Sequence, residues 1–413
     1  MIDLQKIVAA YGDRCLFAGP RQSIDYRTFL ELVEARSKAL SDSSSQPIHF
    51  HRLEWRADSF ADLLARFLAG QSVVLGNSST LSGFELFAAS APLLILKTGG
   101  TTGEPRHVVH SVNTLLTPYA LEERPQNRLL VLYAADHIAG IDAFFQALHR
   151  GSTLVIPSSM NAKALASCIE EQSVQVLPAT PTFLQFLLLS GELEGRDLSS
   201  VTTIPHGAEP MPAALRQRIS AHFPNARLLQ RFGMTELGAL PVRADPEYPD
   251  AMFLDEPGYD WKVEDGELLI KSPTRMLGTL EEGLADPESV WHRTGDLAEK
   301  TPNGSIRVLG RREALINIGG TKVVPEVVEA MILEQPGVRD AAVSAIPNPL
   351  TGQALCAKVI FAGEPDVQGL MKALRQASRE KALSLAHVPT RIEAVTELAK
   401  TAVGKRLRQQ GKA

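Results

Sequence analysis

Between Leu93 and Arg106 the chain reads Leu-Leu-Ile-Leu-Lys-Thr-Gly-Gly-Thr-Thr-Gly-Glu-Pro-Arg. Leu93 to Leu96 predicts a short buried strand that empties into Thr98, Gly99, Gly100, Thr101, Thr102 and Gly103, with Arg106 just beyond. Glycines let backbone N–H groups approach an anion and turn toward it, threonine hydroxyls add donors, and the arginine adds a fixed positive charge. That chemistry suits phosphate. The segment fits neither the Walker pattern nor the Gly-x-Gly-x-x-Gly pattern, and an ordinary surface loop can have the same composition.

Three further stretches carry usable groups. Gln230-Arg231-Phe232-Gly233-Met234-Thr235-Glu236 places an aromatic, a glycine, a hydroxyl and a carboxylate close together. Such a set can stack a base, admit a backbone approach, bond a phosphate and hold a hard cation, or it can be a strand end with a buried Phe. His292-Arg293-Thr294-Gly295-Asp296 offers an acceptor for ribose hydroxyls after a tight turn. His137, in Ala134-Ala135-Asp136-His137-Ile138-Ala139-Gly140, ends a predicted strand where it can line a cleft, though a lone histidine is often only structural.

The elements that must position these groups alternate between helix and strand. Tyr26, Phe29, Leu30, Val33 and Leu40 share one face of a helix over Asp25 to Leu40, and a second helix is expected from Ser59 to Leu68, stopped at Gly70. Strands are expected at Ser72 to Leu75, Leu129 to Tyr133 and Leu154 to Pro157, with a helix from Asp142 to His149. This alternation predicts an α/β fold with mostly parallel sheets and helices on their faces. Val176 to Pro181 and Thr203 to Pro210, which contains Gly207, Ala208 and Glu209, read as loops at sheet ends, where ligands of open α/β sheets gather. A helix from Glu326 to Leu333 follows Gly319-Gly320.

Composition sets the bounds. A chain of 413 residues, 44% of them hydrophobic, has core enough for two or three domains. A net charge of −5 gives no global reason to expect nucleic acid as a partner. Cys15, Cys168 and Cys356 lie far apart and suggest neither a disulfide framework nor a metal spacing. Without a long apolar run near its start, the chain is expected to have no membrane insertion and a cytoplasmic location.

Taken together, these residues resemble the adenylate-forming superfamily of acyl- and aryl-CoA synthetases, luciferases and nonribosomal adenylation domains. Thr98 to Gly103 is similar to its phosphate loop, Phe232 to Glu236 to its aromatic-Gly-x-Thr-Glu motif and Thr294 to Asp296 to its Thr-Gly-Asp; Gly310-Arg311 and Gly404-Lys405 complete five motifs in order. Upstream, Asp25 to Leu40 and Leu68-Ala69-Gly70 also resemble the family's early helix and turn. Arg106 and His107 stand where relatives usually have Lys and Gly, and Ala314 and Ala399 replace a common acid and a common Pro. The path from Gly70 to the phosphate loop is short, so part of the N-terminal domain is expected to be missing.

The resemblance implies activation of a carboxylic acid by ATP to an acyl-adenylate, with Mg²⁺, followed by transfer to the thiol of coenzyme A or of a carrier protein's phosphopantetheine. An acyl carrier protein is thus a possible partner, and Gly238 and Ala239 leave space that favours an aromatic acid. By family match, Thr98 to Gly103 and Arg106 hold the β- and γ-phosphates, Thr235 the α-phosphate, Glu236 the Mg²⁺, and Asp296 with Arg311 the ribose. Gly207, Ala208, Glu209 and Phe232, followed by Gly233 and Met234, frame the nucleotide; His137, Ile138, Gly207, Gly238 and Ala239 border the acyl pocket. Lys405 bridges carboxylate and phosphate during adenylation. The implied domains are 1 to 309, a large α/β domain, and 310 to 413, a small mobile α+β lid that turns about Glu313 and brings Gly319 and Gly320 toward the thiol. The competing expectations are a degenerate nucleotide-binding protein and an adenylating enzyme whose product is not a thioester.

Overall fold

The computed structural model describes residues 3–20, 22–41, 48–76, 83–90, 92–98, 106–122, 124–209, 211–286 and 289–398. Its N-terminal part is built on three sheets. In the first, Cys15–Gly19, Thr153–Val155 and Arg128–Leu130 run parallel, with Gln22–Asp25 antiparallel on the edge. Single parallel bridges at Val176 extend this layer to Thr203–His206, which pairs in parallel with Arg227–Gln230. The carboxyl ends of these strands therefore deliver Gly207 and Arg231 to one rim.

The second sheet pairs Ile48–His51, Ser72–Leu75 and Leu93–Lys97 in parallel, then turns back through His107–Ser111. Lys97 faces His107 across that return, so the phosphate-type loop connects two antiparallel strands. Its base is laced by Thr98 N–H to the Arg106 carbonyl at 2.8 Å and by Arg106 N–H to the Thr98 hydroxyl at 3.0 Å.

Between these sheets lie the helices Tyr26–Ser41, Ala57–Leu68 and Ile138–Arg150. Tyr26, Phe29, Leu30 and Val33 are buried along one face, as the periodicity predicts. Phe17, Phe29, Phe60 and Phe144 form one aromatic cluster, with the Phe60 and Phe144 rings stacked 4.3 Å apart. Burial of each such side chain contributes roughly 1.5–3 kcal/mol.

The α/β class holds, but parallel order belongs to only part of the molecule. The third sheet, in the order Arg243–Ala244, Ala251–Phe253, Ile306–Arg311, His292–Lys300, Glu267–Lys271 and Asp260–Glu264, is antiparallel throughout. No helix intervenes between its strands, and three consecutive pairs, Arg243–Ala244 with Ala251–Phe253, Asp260–Glu264 with Glu267–Lys271 and His292–Lys300 with Ile306–Arg311, are antiparallel neighbours.

The smaller C-terminal domain has its own core, centred on Val328, Ile332, Val343, Leu355, Val359 and Leu374. The helices Pro325–Leu333 and Val367–Glu380 accompany a sheet of Val338–Asn348, Gly352–Phe361 and Arg391–Ala394. The strand Ile306–Arg311 runs past residue 309 without a break, and that core begins only at Ile316. Gly310 lies against the start of the helix Pro325–Leu333: a Cβ there would sit 2.6 Å from the Glu326 Oε2 and 2.7 Å from the Val324 side chain.

Candidate active site

A cleft of about 3800 Å³ separates the N-terminal sheets from the C-terminal domain. Thr98, Arg106, His137, Ile138, Gly207, Ala208, Glu209, Phe232, Gly233, Met234, Thr235, Glu236, Gly238, Ala239, Asp296, Arg311 and Glu313 all line it. Gly319 and Gly320 are not among its lining; they close the hairpin between Ile316–Ile318 and Thr321–Val323, both with positive φ, as a two-residue turn requires. Gly99 to Gly103 and Lys405 lie outside the described residues.

The sheet geometry explains how Thr294-Gly295-Asp296 presents its acid. Glu267 faces Leu297 whereas Leu269 faces Arg293, so Thr294, Gly295 and Asp296 form a bulge with Gly295 at φ +72°. The Thr294 hydroxyl receives the Asp296 N–H at 3.0 Å, and Arg311 donates from Nε to Asp296 Oδ1 at 3.0 Å and from NH1 to the Thr294 carbonyl at 3.0 Å. Asp296 is buried and Arg311 is exposed to the cleft.

Beneath the bulge sits Glu267, which sequence reasoning missed. Its buried carboxylate accepts from Arg293 at 2.7 Å, from Arg312 at 2.8 Å and from Gly295 N–H at 3.2 Å. Burial alone would raise its pKa, but these donors together hold it below the ordinary glutamate value. Arg312 opens the short 3₁₀ turn Arg312–Ala314 that carries Glu313.

Thr235 and Glu236 lie in the turn that joins the antiparallel strands Phe232–Met234 and Gly238–Leu240. Gly238 has φ +74°, which closes that hairpin and gives the glycine a backbone reason besides the space it leaves. The Thr235 carbonyl accepts from His110 Nε2 at 2.7 Å, and burial pushes the His110 imidazole down to about 4, so it stays neutral. Glu236 is partly buried, and burial raises its pKa against the pull of Arg311 and Arg106. Among the described residues its carboxylate accepts only from its own backbone N–H. A hard cation sharing one protein carboxylate with substrate phosphates fits such a group.

Other expected residues have engagements of their own. The Glu209 carboxylate accepts from the Thr182 N–H at 3.1 Å and hydroxyl at 2.6 Å, at the start of the helix Pro181–Leu189, so its side chain is committed to that helix. Ala208 takes a left-handed conformation, φ +66°. His137 is the N-cap of Ile138–Arg150, its Nδ1 accepting from Ala139 N–H at 3.3 Å. That helix starts earlier than the expected Asp142 and includes Gly140, where a Cβ would lie 2.2 Å from the Ala134 carbonyl oxygen, so glycine permits the close approach. Arg106 pairs with Glu282 at 3.1 Å, and His107 bonds Glu281 through Nδ1 at 2.6 Å and its backbone N–H at 3.0 Å. The two departures at these positions thus have two adjacent acidic partners.

The family model described as AMP-binding enzyme matches residues 4–279, and that of the AMP-binding enzyme C-terminal domain matches residues 327–405. Acyl-CoA synthetase 7 of Caenorhabditis elegans is 26% identical over 341 residues, covering 75% of this chain and 63% of that protein. The 2-succinylbenzoate–CoA ligase of Bacillus licheniformis is 26% identical over 338 residues, covering 76% of this chain and 69% of the relative. This chain therefore spans less than two thirds of the first relative's length. The crystal structure of the anthranilate CoA ligase AuaEII in complex with anthranoyl-AMP superposes with a TM-score of 0.78 at 19% identity, over 98% of this chain and 94% of that one, a likeness of fold. No helix among the described residues is long and apolar enough to cross a membrane.

Proposed function

The chain belongs to the AMP-binding enzyme family, and from that premise we propose that it activates a carboxylic acid with ATP and passes the acyl group to a thiol. The observation that carries this reading is the half-buried Glu236 carboxylate, free of side-chain donors among the described residues and flanked by the charges of Arg311 and Arg106 in the same cleft as the Asp296–Arg311 pair.

In this reading Asp296 accepts from the ribose hydroxyls while Arg311 holds it in place, and Phe232 packs against the base. Gly207 and Ala208 frame the base through their backbone; the Glu209 side chain contributes by fixing the loop to Thr182. The Thr235 hydroxyl donates to the α-phosphate, its backbone held by His110. Glu236 holds Mg²⁺, which when bound neutralises charge on the phosphates. Arg106 exchanges Glu282 for a phosphate, with Thr98 to Gly103 around it. The carboxylate of the acid attacks the α-phosphorus, releasing pyrophosphate, and Lys405 offsets the charge that develops. The family relationship and the spacing after Gly404 support that assignment.

The second half-reaction puts a thiolate sulfur on the activated carbonyl and releases AMP. We place the boundary of the C-terminal domain after Arg311, with Glu313 as the pivot about which that domain turns and Gly319 and Gly320 approaching the thiol. Coenzyme A is the favoured acceptor because relatives are named as CoA ligases and the net charge of −5 offers no general attraction to an acidic carrier protein. An aromatic acid remains the favoured substrate class. ATP–pyrophosphate exchange over a panel of acids, followed by thioester assays with coenzyme A and with a phosphopantetheinylated carrier, tests the reading. Exchange with no acid overturns it, and exchange without thioester on either thiol overturns its second half.

A further inference from the structure

Along the helix Ile138–Arg150 the cleft is lined by Asp142, Gln146 and Arg150, one turn apart, below Ile138 of the expected acyl pocket. A slot for a wholly apolar acid would not be walled this way. The Tyr119 hydroxyl donates to Asp142 Oδ1 at 2.7 Å, the Gln146 amide donates to Asp142 Oδ2 at 2.8 Å, and Arg150 donates to Gln146 Oε1 at 2.7 Å. Both Asp142 oxygens are thus occupied by neutral donors.

Arg231 faces the same space. Its backbone N–H donates to the His206 carbonyl at 2.7 Å, which sets it at the carboxyl end of its strand, level with Gly207. The contact is close: a Cβ on Gly207 would be 2.5 Å from the Arg231 carbonyl oxygen. The side chain lines the cleft and is partly buried, yet among the described residues it makes no hydrogen bond or ion pair. Asp142 is near enough to attract it, and Arg150 and Arg227 are near enough to repel it. A guanidinium withdrawn from water without a hydrogen-bonded counter-ion is unfavourable, and its planar fork matches an anion with two oxygens.

Resting on the acid-activating function proposed above, we infer that the acid carries a second anionic group, a carboxylate or its equivalent, which Arg231 binds at the far end of the acyl pocket. Both Asp142 oxygens already accept from Tyr119 and Gln146, so Asp142 attracts the guanidinium without a hydrogen bond and the fork is left for the ligand. The reactive carboxylate then points toward Thr235 and the nucleotide. A phosphate of ATP could supply the same chemistry, and the test separates the two.

Wild type, Arg231→Met and Arg231→Lys are compared in pyrophosphate exchange with matched acids, such as phenylpropanoate against the same acid bearing a ring carboxylate. The wild type is expected to favour the diacid. Arg231→Met should lose at least about thirtyfold in kcat/KM for the diacid, mainly through KM, with KM for ATP unchanged, while Arg231→Lys recovers part of the loss. Indifference of the wild type within every pair, an equal loss for both members, or a rise in KM for ATP overturns the inference. Calorimetric binding of the same acids without ATP covers an inactive protein. If no acid supports exchange but diacids bind in an Arg231-dependent way, the ligase reading falls and the anion site stands; if binding is also insensitive to Arg231, both fall. Because the guanidinium lacks a partner, Arg231→Met should not lower the melting temperature, and a drop of several degrees would also overturn the assignment.

Discussion

Asp296 and Arg311 are cross-strand partners in the antiparallel sheet, with the arginine Nε 3.0 Å from the aspartate Oδ1. The pair joins the bulge to the last residue before the chain leaves that sheet. Asp296→Ala should raise KM for ATP at least about tenfold, since a charge-assisted contact contributes roughly 1.5–3 kcal/mol. Stability should change little from loss of the ion pair itself, because Arg311 is half exposed and such pairs are weak. Exchange kinetics at varied ATP provide the measurement; an unchanged KM removes Asp296 from the nucleotide site.

Glu236→Gln keeps the side-chain volume and removes the charge. Magnesium-dependent exchange should fall, with the largest deficit at limiting Mg²⁺, while the melting temperature holds or rises as an unfavourably buried charge is lost. If both proteins respond identically to a Mg²⁺ titration, the carboxylate does not contact the ion.

For Glu313→Pro the expectation is a separation of the two half-reactions. Proline fixes φ and removes an N–H, so a pivot that changes its backbone angles is restricted to states that tolerate the ring. Pyrophosphate exchange should persist while thioester release falls at least about tenfold, which corresponds to roughly 1.4 kcal/mol of barrier. Equal slowing of both steps, or of neither, excludes Glu313 as the pivot.

His110 supplies a pH signature. Its folded pKa lies near 4 because of burial, against an ordinary value of 6.5, so below pH 6.5 the unfolded chain takes up a proton that the folded chain refuses. The stabilisation is complete above pH 6.5 and is lost as pH falls toward 4, reaching about 2 kcal/mol at pH 5. His206 and His292, also held near 4 by burial, act in the same direction. His110→Gln should therefore narrow the loss of stability between pH 7.5 and pH 5 in denaturant titrations without abolishing it; an unchanged difference would mean that this ring is already charged when folded.

Local signals were the legible ones. The buried run Leu93 to Leu96 and the helical face of Tyr26 to Val33 depend on neighbours in sequence, and both lie where the pattern puts them. What could not be read depends on pairing between distant segments. Nothing near Arg106 and His107 announces Glu281 and Glu282, a contact spanning 174 residues between His107 and Glu281, and nothing near Arg312 announces Glu267. The start of the helix at Ile138, ahead of the expected Asp142, goes with a contact that sequence does not display, the approach of the Ala134 carbonyl to the place a Cβ of Gly140 would take. The short strand Arg128–Leu130, expected to reach Tyr133, ends before the loop that caps this helix. The antiparallel third sheet escaped notice because its strands follow one another without helical spacing.

The Glu267 carboxylate also sets how much of the connecting chain has freedom to lose. Arg312 is tied to the same oxygen as Arg293, on the strand Glu267–Lys271 of the third sheet. If the C-terminal domain turns, the segment that must find a new backbone arrangement begins at Glu313 and ends where Ile316 enters the second core. Ordering a residue's backbone opposes folding by roughly 1–2 kcal/mol in conformational entropy. A tether confined to Glu313, Ala314 and Leu315 limits that entropy difference between the two arrangements, so relative populations can be governed by what fills the cleft. Releasing Arg312 from Glu267 would lengthen the tether and flatten that response, a broadening that interdomain distance distributions would register with and without ATP.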